Sequence, residues 1–142
     1  MGPRVILDTN VLLKVSNREP GYEIAVEILD RVESGEATAA ISTITIAEVA
    51  VGYYTSGDEA AFKDFLLSLR STAGYTIVGL DTSVAELAGK IRAITGLRLP
   101  DAIIAASGVS SGASHVITED KQFKKAFDII ASLTPDEFLS SL

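Results

Sequence analysis

The sequence feature that most constrains the fold is a short apolar run, Val5 to Leu7, which ends abruptly on Asp8. Apolar residues without polar alternation are typical of a strand that is buried on both faces, as in a parallel sheet. Asp8, Thr9 and Asn10 interrupt the run, and apolar residues resume directly afterwards. Because open α/β sheets bind ligands at the carboxyl ends of their strands, Asp8 is predicted to lie at a binding edge.

Further strand-like segments alternate with helical ones along the rest of the chain. The apolar pattern predicts strands at 38–41, 75–80, 115–118 and 128–130, with helical spacing between them. Strict alternation favours an α/β fold of three layers, α/β/α, around a central parallel sheet of four to five strands. A length of 142 residues, with no repeat or linker, predicts a single domain over residues 1–142.

Composition narrows the class of protein. The chain is 47% hydrophobic and 22% charged, as in a globular domain, and its lack of cysteine excludes disulfides, thiolate zinc sites and cysteine nucleophiles. No apolar run reaches the roughly 18 residues of a membrane span, and residues 1–4 lead into the first strand without room for a signal peptide. These features predict a cytoplasmic protein without a membrane segment. The net charge of −7 disfavours a broad phosphate-binding surface.

Four acidic residues fall at the predicted junctions between strands and helices: Asp8, Glu48, Asp101 and Asp120. Helix capping or a favourable first-turn charge explains each of them separately. Together, however, they meet at one edge, because strands of a doubly wound sheet end, and the following helices begin, at the same rim. Carboxylates crowded at one edge repel each other unless a cation lies between them, and oxygen ligands suit Mg²⁺ or Mn²⁺. The pattern therefore predicts a divalent-metal site.

Four sequence blocks carry a family resemblance. Residues 7–12 read LDTNVL, 42–48 read STITIAE, 99–106 read LPDAIIAA and 117–123 read ITEDKQF. In this order, and across nearly the whole chain, they resemble the four blocks of the PIN-domain family, and most closely those of the VapC-type ribonuclease toxins of prokaryotic toxin–antitoxin pairs. Each block alone is a weak signal, whereas the ordered set of four is specific.

The resemblance implies a Mg²⁺- or Mn²⁺-dependent endoribonuclease, the toxin of a type II toxin–antitoxin pair. It places the catalytic, metal-binding positions at Asp8, Glu48, Asp101 and Asp120. Polar residues expected to support this site are Thr9, Asn10, Ser42 and Thr118. Basic residues near the site, which are candidates for RNA contacts, are Arg98, Lys121, Lys124 and Lys125. The implied partners are RNA, a cognate antitoxin protein that occupies the acidic groove, and a second copy of the chain in a homodimer.

Two alternatives within the family remain open: a catalytically silent scaffold that binds protein or RNA, and a PIN nuclease that acts in RNA processing rather than as a toxin. A phosphatase of the haloacid dehalogenase type is disfavoured, since Asn10 stands where that class has a second Asp. A receiver domain is disfavoured by the missing early acidic pair and the poor fit of Lys121. His115 begins a predicted strand and is interpreted as structural. Helical segments 24–32 and 62–69 offer apolar faces for an interface, although core packing explains both.

Overall fold

The computed structural model describes residues 2–142, which form five strands and seven α-helices, with two consecutive α-helices after each of the first three strands. Met1 lies outside the described residues. It is part of the predicted domain, 1–142, and of the segment 1–4 that is predicted to leave no room for a signal peptide. The strands are β1 (Arg4–Leu7), β2 (Thr38–Ser42), β3 (Tyr75–Val78), β4 (His115–Ile117) and β5 (Ala131–Leu133). The helices are α1 (Thr9–Ser16), α2 (Tyr22–Glu33), α3 (Thr43–Thr55), α4 (Glu59–Ser71), α5 (Thr82–Thr95), α6 (Leu99–Ser110) and α7 (Pro135–Ser141), with a 3₁₀ segment at Lys121–Ala126. Within this described range, no helix has the length and apolar character needed to cross a bilayer.

The strands form one sheet in the order β3-β2-β1-β4-β5, and all four neighbouring pairs are parallel. In β1, Ile6 lies opposite Ala40 of β2 on one side and Val116 of β4 on the other. Helices cover both faces, so the predicted three-layer α/β/α fold is confirmed. The chain runs outward from β1 to β3 and then crosses to β4, which places the reversal of strand order between β1 and β4. Sheets of this kind bind ligands at such a switch point.

Alternate residues of β1 contribute to the cores on the two faces of the sheet. Ile6 packs with buried residues of α5 and α6, whereas Val5 and Leu7 pack with those of α1 and α2. All three side chains are fully buried. Successive side chains of a strand point to opposite faces, and here both faces are covered. This packing explains why the sequence of β1 shows no polar alternation.

The predicted position of the fifth strand is wrong. The strand is Ala131–Leu133 rather than 128–130. The backbone N–H groups of Ile129 and Ile130 donate to the carbonyl oxygen of Ala126, at 2.8 and 2.9 Å, and hold the predicted segment in a turn after the 3₁₀ segment. The apolar residues Ile129 and Ile130 lie directly before the strand, so their pattern predicts it at the wrong position.

The third strand is shorter than predicted. It ends at Val78, which pairs with Ser42 of β2, instead of continuing to Leu80. The Leu80 N–H donates to Thr43 Oγ1 at 3.2 Å, so the chain leaves the sheet and contacts the start of α3. A side chain from a distant segment thus determines where this strand ends.

Helix α6 is buried along most of its length, as its apolar sequence after Asp101 predicts. Every residue from Asp101 to Gly108 is buried. A Cβ atom added at Gly108 would lie 2.8 Å from Ile6 Cγ2 and 2.9 Å from Ile130 Cδ1. The helix that carries Asp101 can therefore approach the sheet this closely only because residue 108 has no side chain.

Gly108→Ala is expected to lower the free energy of unfolding by about 1–3 kcal/mol, the usual effect of overpacking a core. Gly89→Ala on α5 is the matched control, since Gly89 is exposed and nothing lies within 4 Å of its added Cβ. The control should stabilise the protein by up to about 1 kcal/mol, because Ala favours a helix more than Gly does. Urea unfolding measures both effects. A Gly108→Ala protein as stable as the wild type would contradict the close packing of α6.

Candidate active site

One cavity at the carboxyl edge of the sheet brings together side chains from separate elements, beside the switch point between β1 and β4. Its volume is about 180 Å³. The residues that line it are Asp8, Thr9, Asn10, Leu13, Glu48, Arg98, Asp101 and Asp120. The structure thus brings together all four acidic residues that the sequence singled out.

Each of the four acids is placed by the start of a helix. Asp8 follows β1 and caps α1, and Asp120 follows β4 and caps the 3₁₀ segment; their carboxylates accept backbone N–H groups at 2.8 and 2.9 Å. Asp101 lies in the first turn of α6, and Glu48 lies in the second turn of α3. A carboxylate has two oxygen atoms, so an acid can cap a helix and still line the shared cavity.

Asp8 accepts three hydrogen bonds from its surroundings. Its Oδ1 accepts the Thr9 N–H at 2.8 Å, and its Oδ2 accepts from Asn10 Nδ2 at 2.9 Å and from the Thr118 hydroxyl at 2.7 Å. Thr118 Oγ1 also accepts the Asp120 N–H at 2.9 Å. Since Asp8 and Thr118 are both buried, one buried hydroxyl connects the acids that follow β1 and β4.

Thr9 contacts Glu48 at the same cavity and is itself contacted by a second threonine, Thr45. The Thr9 hydroxyl oxygen lies 2.6 Å from Glu48 Oε1 and 3.0 Å from Thr45 Oγ1. Thr45 is fully buried, and it was not among the site residues predicted from the sequence. The one available signal was its position three residues before Glu48, which places both side chains on one face of α3.

Ser42 contributes to the site indirectly. Its buried hydroxyl caps α3 by accepting the Ile44 N–H at 3.2 Å, and it also accepts from the Ser107 hydroxyl at 3.3 Å. The cap orients the helix that carries Glu48, and the Ser107 contact ties that helix to α6. Ser42 therefore positions elements of the site without a described hydrogen bond to any of the four acids.

Burial raises the pKa of two of the acids. Asp8 has its pKa raised from 3.8 to about 6, mainly by burial, and the charges of Asp101 and Asp120 add to the shift although the Thr118 hydrogen bond opposes it. The pKa of Asp101 is also raised, again chiefly by burial, with Arg98 opposing the shift. Burial therefore disfavours the ionised forms of both side chains, and at Asp101 the Arg98 guanidinium does not fully compensate for it.

The predicted basic residues are distributed unevenly around the site. Arg98 lines the acidic cavity, and its Nε lies 3.5 Å from Asp101 Oδ2. Lys121 and Lys124 line a separate cavity of about 30 Å³, and the exposed Lys125 lines neither of the two cavities. Of the four candidate RNA contacts, Arg98 alone lines the cavity that contains all four acids, whereas Lys121 and Lys124 share their cavity with Asp120.

Another basic residue near this edge was missed by sequence reasoning. Lys14 of α1 forms an ion pair with Glu119, the residue before Asp120. The two partners are 105 residues apart, so no local pattern could reveal the pair. His115, in contrast, lies at the amino end of β4, away from the acids, and its Nδ1 is 2.9 Å from Ser114 Oγ.

The carboxylates are spread around the cavity rather than gathered at one point. Within residues 2–142, no three His, Cys, Asp or Glu side chains are close enough together to hold one ion. Hydroxyl, amide or guanidinium groups of the protein engage Asp8, Glu48 and Asp101 instead. In the same described range, the buried Asn10 Oδ1 has no hydrogen-bond donor. The chemistry of these side chains, rather than their spacing in this structure, fits a divalent cation, since carboxylate oxygens are ligands that Mg²⁺ and Mn²⁺ prefer.

A family model matches most of the chain. The model of the PIN domain matches residues 5–127, a range that includes all four acids. Among curated proteins, no sequence relative is found.

Several solved structures are similar to this chain over nearly its whole length. A toxin–antitoxin complex from Klebsiella pneumoniae is similar at 27% identity and a TM-score of 0.69, over 92% of this chain and 97% of the other. FitAcB from Neisseria gonorrhoeae is similar at 26% identity and a TM-score of 0.69, over the same shares. VapBC2 from Rickettsia felis, bound to a DNA fragment from its promoter, has 20% identity and a TM-score of 0.72 over 92% and 98% of the two chains, a likeness that concerns the fold.

Proposed function

The chain belongs to the PIN domain family, as its four sequence blocks predict, and on this premise we propose that it is a Mg²⁺- or Mn²⁺-dependent endoribonuclease. In this proposal it hydrolyses RNA phosphodiester bonds as the toxin of a type II toxin–antitoxin pair. The similar structures support the assignment, since the one from Klebsiella pneumoniae is described as a toxin–antitoxin complex.

The observation that carries the proposal is the convergence of Asp8, Glu48, Asp101 and Asp120 on one cavity in which Arg98 is the basic lining residue. Grouping partly buried carboxylates disfavours their ionised form, as the raised pKa of Asp8 indicates, so the arrangement is unfavourable for folding alone. The same charges would repel the phosphate of a nucleic acid. A divalent cation resolves both difficulties, because it neutralises the acids and attracts phosphate.

In the proposed site, Asp8 and Asp101 are the principal metal ligands, and Asp120 and Glu48 complete the site directly or through water. A bound cation supplies the activation of the attacking water and the neutralisation of charge on the phosphate. The side chain of Asp8 is the most constrained of these ligands by the contacts described above, so it defines the position of the site.

The polar residues around the acids have a positioning role in this proposal. Thr118 and Asn10 hold Asp8 Oδ2, and Thr9 holds both an oxygen of Glu48 and, through its N–H, the second oxygen of Asp8. Such partners fix the orientation of metal ligands and typically affect metal affinity or activity about 10- to 100-fold.

The proposed RNA contacts are Arg98, Lys121, Lys124 and Lys125. Arg98 is placed to meet the phosphate nearest the acids, because its side chain is largely exposed while it pairs with Asp101. Lys121 and Lys124 lie beside Asp120 and would contact phosphates further along the RNA. With a net charge of −7, the protein depends on these few local cations and on bound metal for its attraction to RNA.

A cognate antitoxin and a second copy of the chain are the proposed protein partners, in the cytoplasm, where RNA substrates occur. An antitoxin with a basic side chain would neutralise the acidic cavity and exclude RNA from it. The exposed residues of segments 24–32 and 62–69 are candidates for these interfaces. Leu67, for example, is 65% exposed.

The test is the cleavage of RNA by the purified protein with Mg²⁺, with Mn²⁺ and with EDTA. We expect cleavage with either cation, none in EDTA, and recovery when Mn²⁺ is added in excess. Activity that EDTA leaves unchanged would contradict metal dependence. Tight binding of a protein partner without cleavage of any RNA would favour the silent scaffold, and cleavage without growth arrest on expression would favour RNA processing.

A further inference from the structure

We infer that Thr45 is a positioning residue that orients Glu48 through the hydroxyl group of Thr9. The inference rests on the proposed metal site, since it assigns a role at that site to a residue outside it. Thr45 does not line the cavity and contacts none of the four acids in the described hydrogen bonds. Its effect on the site must therefore pass through Thr9.

The three side chains form a continuous chain of hydrogen bonds. The Thr9 hydroxyl oxygen lies 2.6 Å from Glu48 Oε1 and 3.0 Å from Thr45 Oγ1. Thr45 is 0% exposed, so water does not compete for its hydroxyl, and Thr9 is 7% exposed at the wall of the cavity. These hydrogen bonds join α1, which carries Thr9, to α3, which carries Glu48.

A count of protons determines the direction of these hydrogen bonds. A metal ligand must be deprotonated, so Glu48 can only accept. The 2.6 Å contact therefore uses the single hydroxyl proton of Thr9. The 3.0 Å contact must then use the proton of Thr45, which makes Thr45 the donor, Thr9 the relay and Glu48 the final acceptor.

No local acceptor competes for the Thr45 proton. On other helices Ser71, Thr95 and Ser107 donate to the carbonyl oxygen four residues earlier, at 2.7 to 2.8 Å. Thr45 is the third residue of α3, and the residue four positions before it, Ile41, belongs to β2 rather than to the helix. Among the described residues, Thr9 is the one hydrogen-bond partner of the Thr45 hydroxyl.

The two hydrogen bonds act together on the position of Glu48. With the Thr45 hydroxyl donating to its oxygen, Thr9 keeps its own proton for Glu48 Oε1. Hydrogen bonds in a chain also strengthen each other in a buried environment. Thr45 therefore holds the Thr9 hydroxyl in the orientation that fixes Glu48 at the cavity.

The first test is the binding of Mn²⁺ to the full chain by calorimetry. Thr45→Val keeps the shape but removes the hydroxyl, and we expect about 10-fold weaker binding, whereas Thr45→Ser should restore the affinity to within about 2-fold of wild type. Thr95→Val is the control, because it makes the same substitution on α5, at a hydroxyl that donates to the Ile91 carbonyl oxygen and lies outside the acidic cavity. Wild-type affinity in Thr45→Val, no recovery in Thr45→Ser, or an equal loss in Thr95→Val would overturn the inference.

A second test measures whether Thr45 acts through Glu48. In a Glu48→Gln background, Thr45→Val should change Mn²⁺ affinity no further, because residues that act as one unit are not additive. A full additional loss of about 10-fold in the double variant would mean that Thr45 acts elsewhere, and would overturn the inference.

A third test needs no metal ion and separates this inference from the proposed function. In the metal-free protein, NMR exchange of the Thr9 hydroxyl proton with water should become about 3- to 10-fold faster in Thr45→Val, as expected for the loss of one hydrogen bond. Unchanged exchange would overturn the relay. A wild-type protein that binds no Mn²⁺ but shows the faster exchange in the variant would contradict the metal site and retain the relay.

Discussion

Asp8→Asn and Asp101→Asn are each expected to reduce RNA cleavage at saturating Mn²⁺ by about 100-fold or more. A bound cation contributes several kcal/mol to the stabilisation of a phosphoryl transition state, and each 1.4 kcal/mol corresponds to about a factor of ten in rate. Asn keeps the size of the side chain and can still accept the N–H that Asp8 caps. The loss should therefore be one of charge and metal binding, measured as initial rates of cleavage over a range of Mn²⁺ concentrations.

Asp81→Asn is the matched control for this prediction. Asp81 also follows a strand, β3, and also caps a helix, since its Oδ1 accepts the Val84 N–H at 2.8 Å. It does not line the acidic cavity. Cleavage by Asp81→Asn should match that of the wild type. Equal rates in the wild type and in both site variants would refute the assignment of Asp8 and Asp101 as metal ligands.

Asp8→Asn is also expected to make the metal-free protein more stable at pH 7.5, by up to about 3 kcal/mol. The pKa of Asp8 is about 6 in the folded protein, against 3.8 for the free side chain, so folding favours the protonated form. The wild type is therefore most stable below pH 4 with respect to this group, and it loses that stability as the pH rises from about 4 to about 6. Asn carries no charge at any of these pH values, but its Nδ2 cannot accept from Asn10 and Thr118 as Asp8 Oδ2 does, so the net gain lies below this limit.

Divalent metal should reverse the order of stability. Mn²⁺ at about 1,000 times its dissociation constant adds about 4.1 kcal/mol to a protein that binds it in the folded state alone, which exceeds the difference of up to about 3 kcal/mol. Wild type should gain this amount and Asp8→Asn should not. Thermal melting at pH 4.5 and pH 7.5, with and without Mn²⁺, measures both effects. The idea fails if metal-free Asp8→Asn is less stable than wild type at pH 7.5, or if Mn²⁺ stabilises both proteins equally.

Local chemistry explains why the acids could be found in the sequence. The buried strand β1 is encoded by three consecutive apolar residues, and the acid that follows them caps the next helix whatever the distant chain does. The same holds for Asp101, since Pro100 and the apolar residues after it define the start of a buried helix. Because parallel strands all end at the same edge of the sheet, acids that follow strands or begin helices are placed at that edge.

Other features depend on contacts between distant segments. The ends of β3 and β5 are set by a threonine of α3 and by a turn after the 3₁₀ segment, neither of which has a signature in the strand itself. The partners of the acids are similar cases. Thr118 and Asp8 are 110 residues apart, and Thr45 lies 36 residues from Thr9.

The sequence of this protein alone establishes a parallel α/β fold and four acids at its carboxyl edge, because strand burial, helix capping and the direction of parallel strands follow from short stretches of chain. Only the tertiary structure decides which hydroxyl reaches which carboxylate. A hydrogen bond requires an approach within about 3 Å, and that approach depends on how α1, α3 and β4 pack together. Asp8 is thus predictable as a candidate site residue, whereas the contact of Thr45 with Thr9, and through it with Glu48, emerges only from the packed fold.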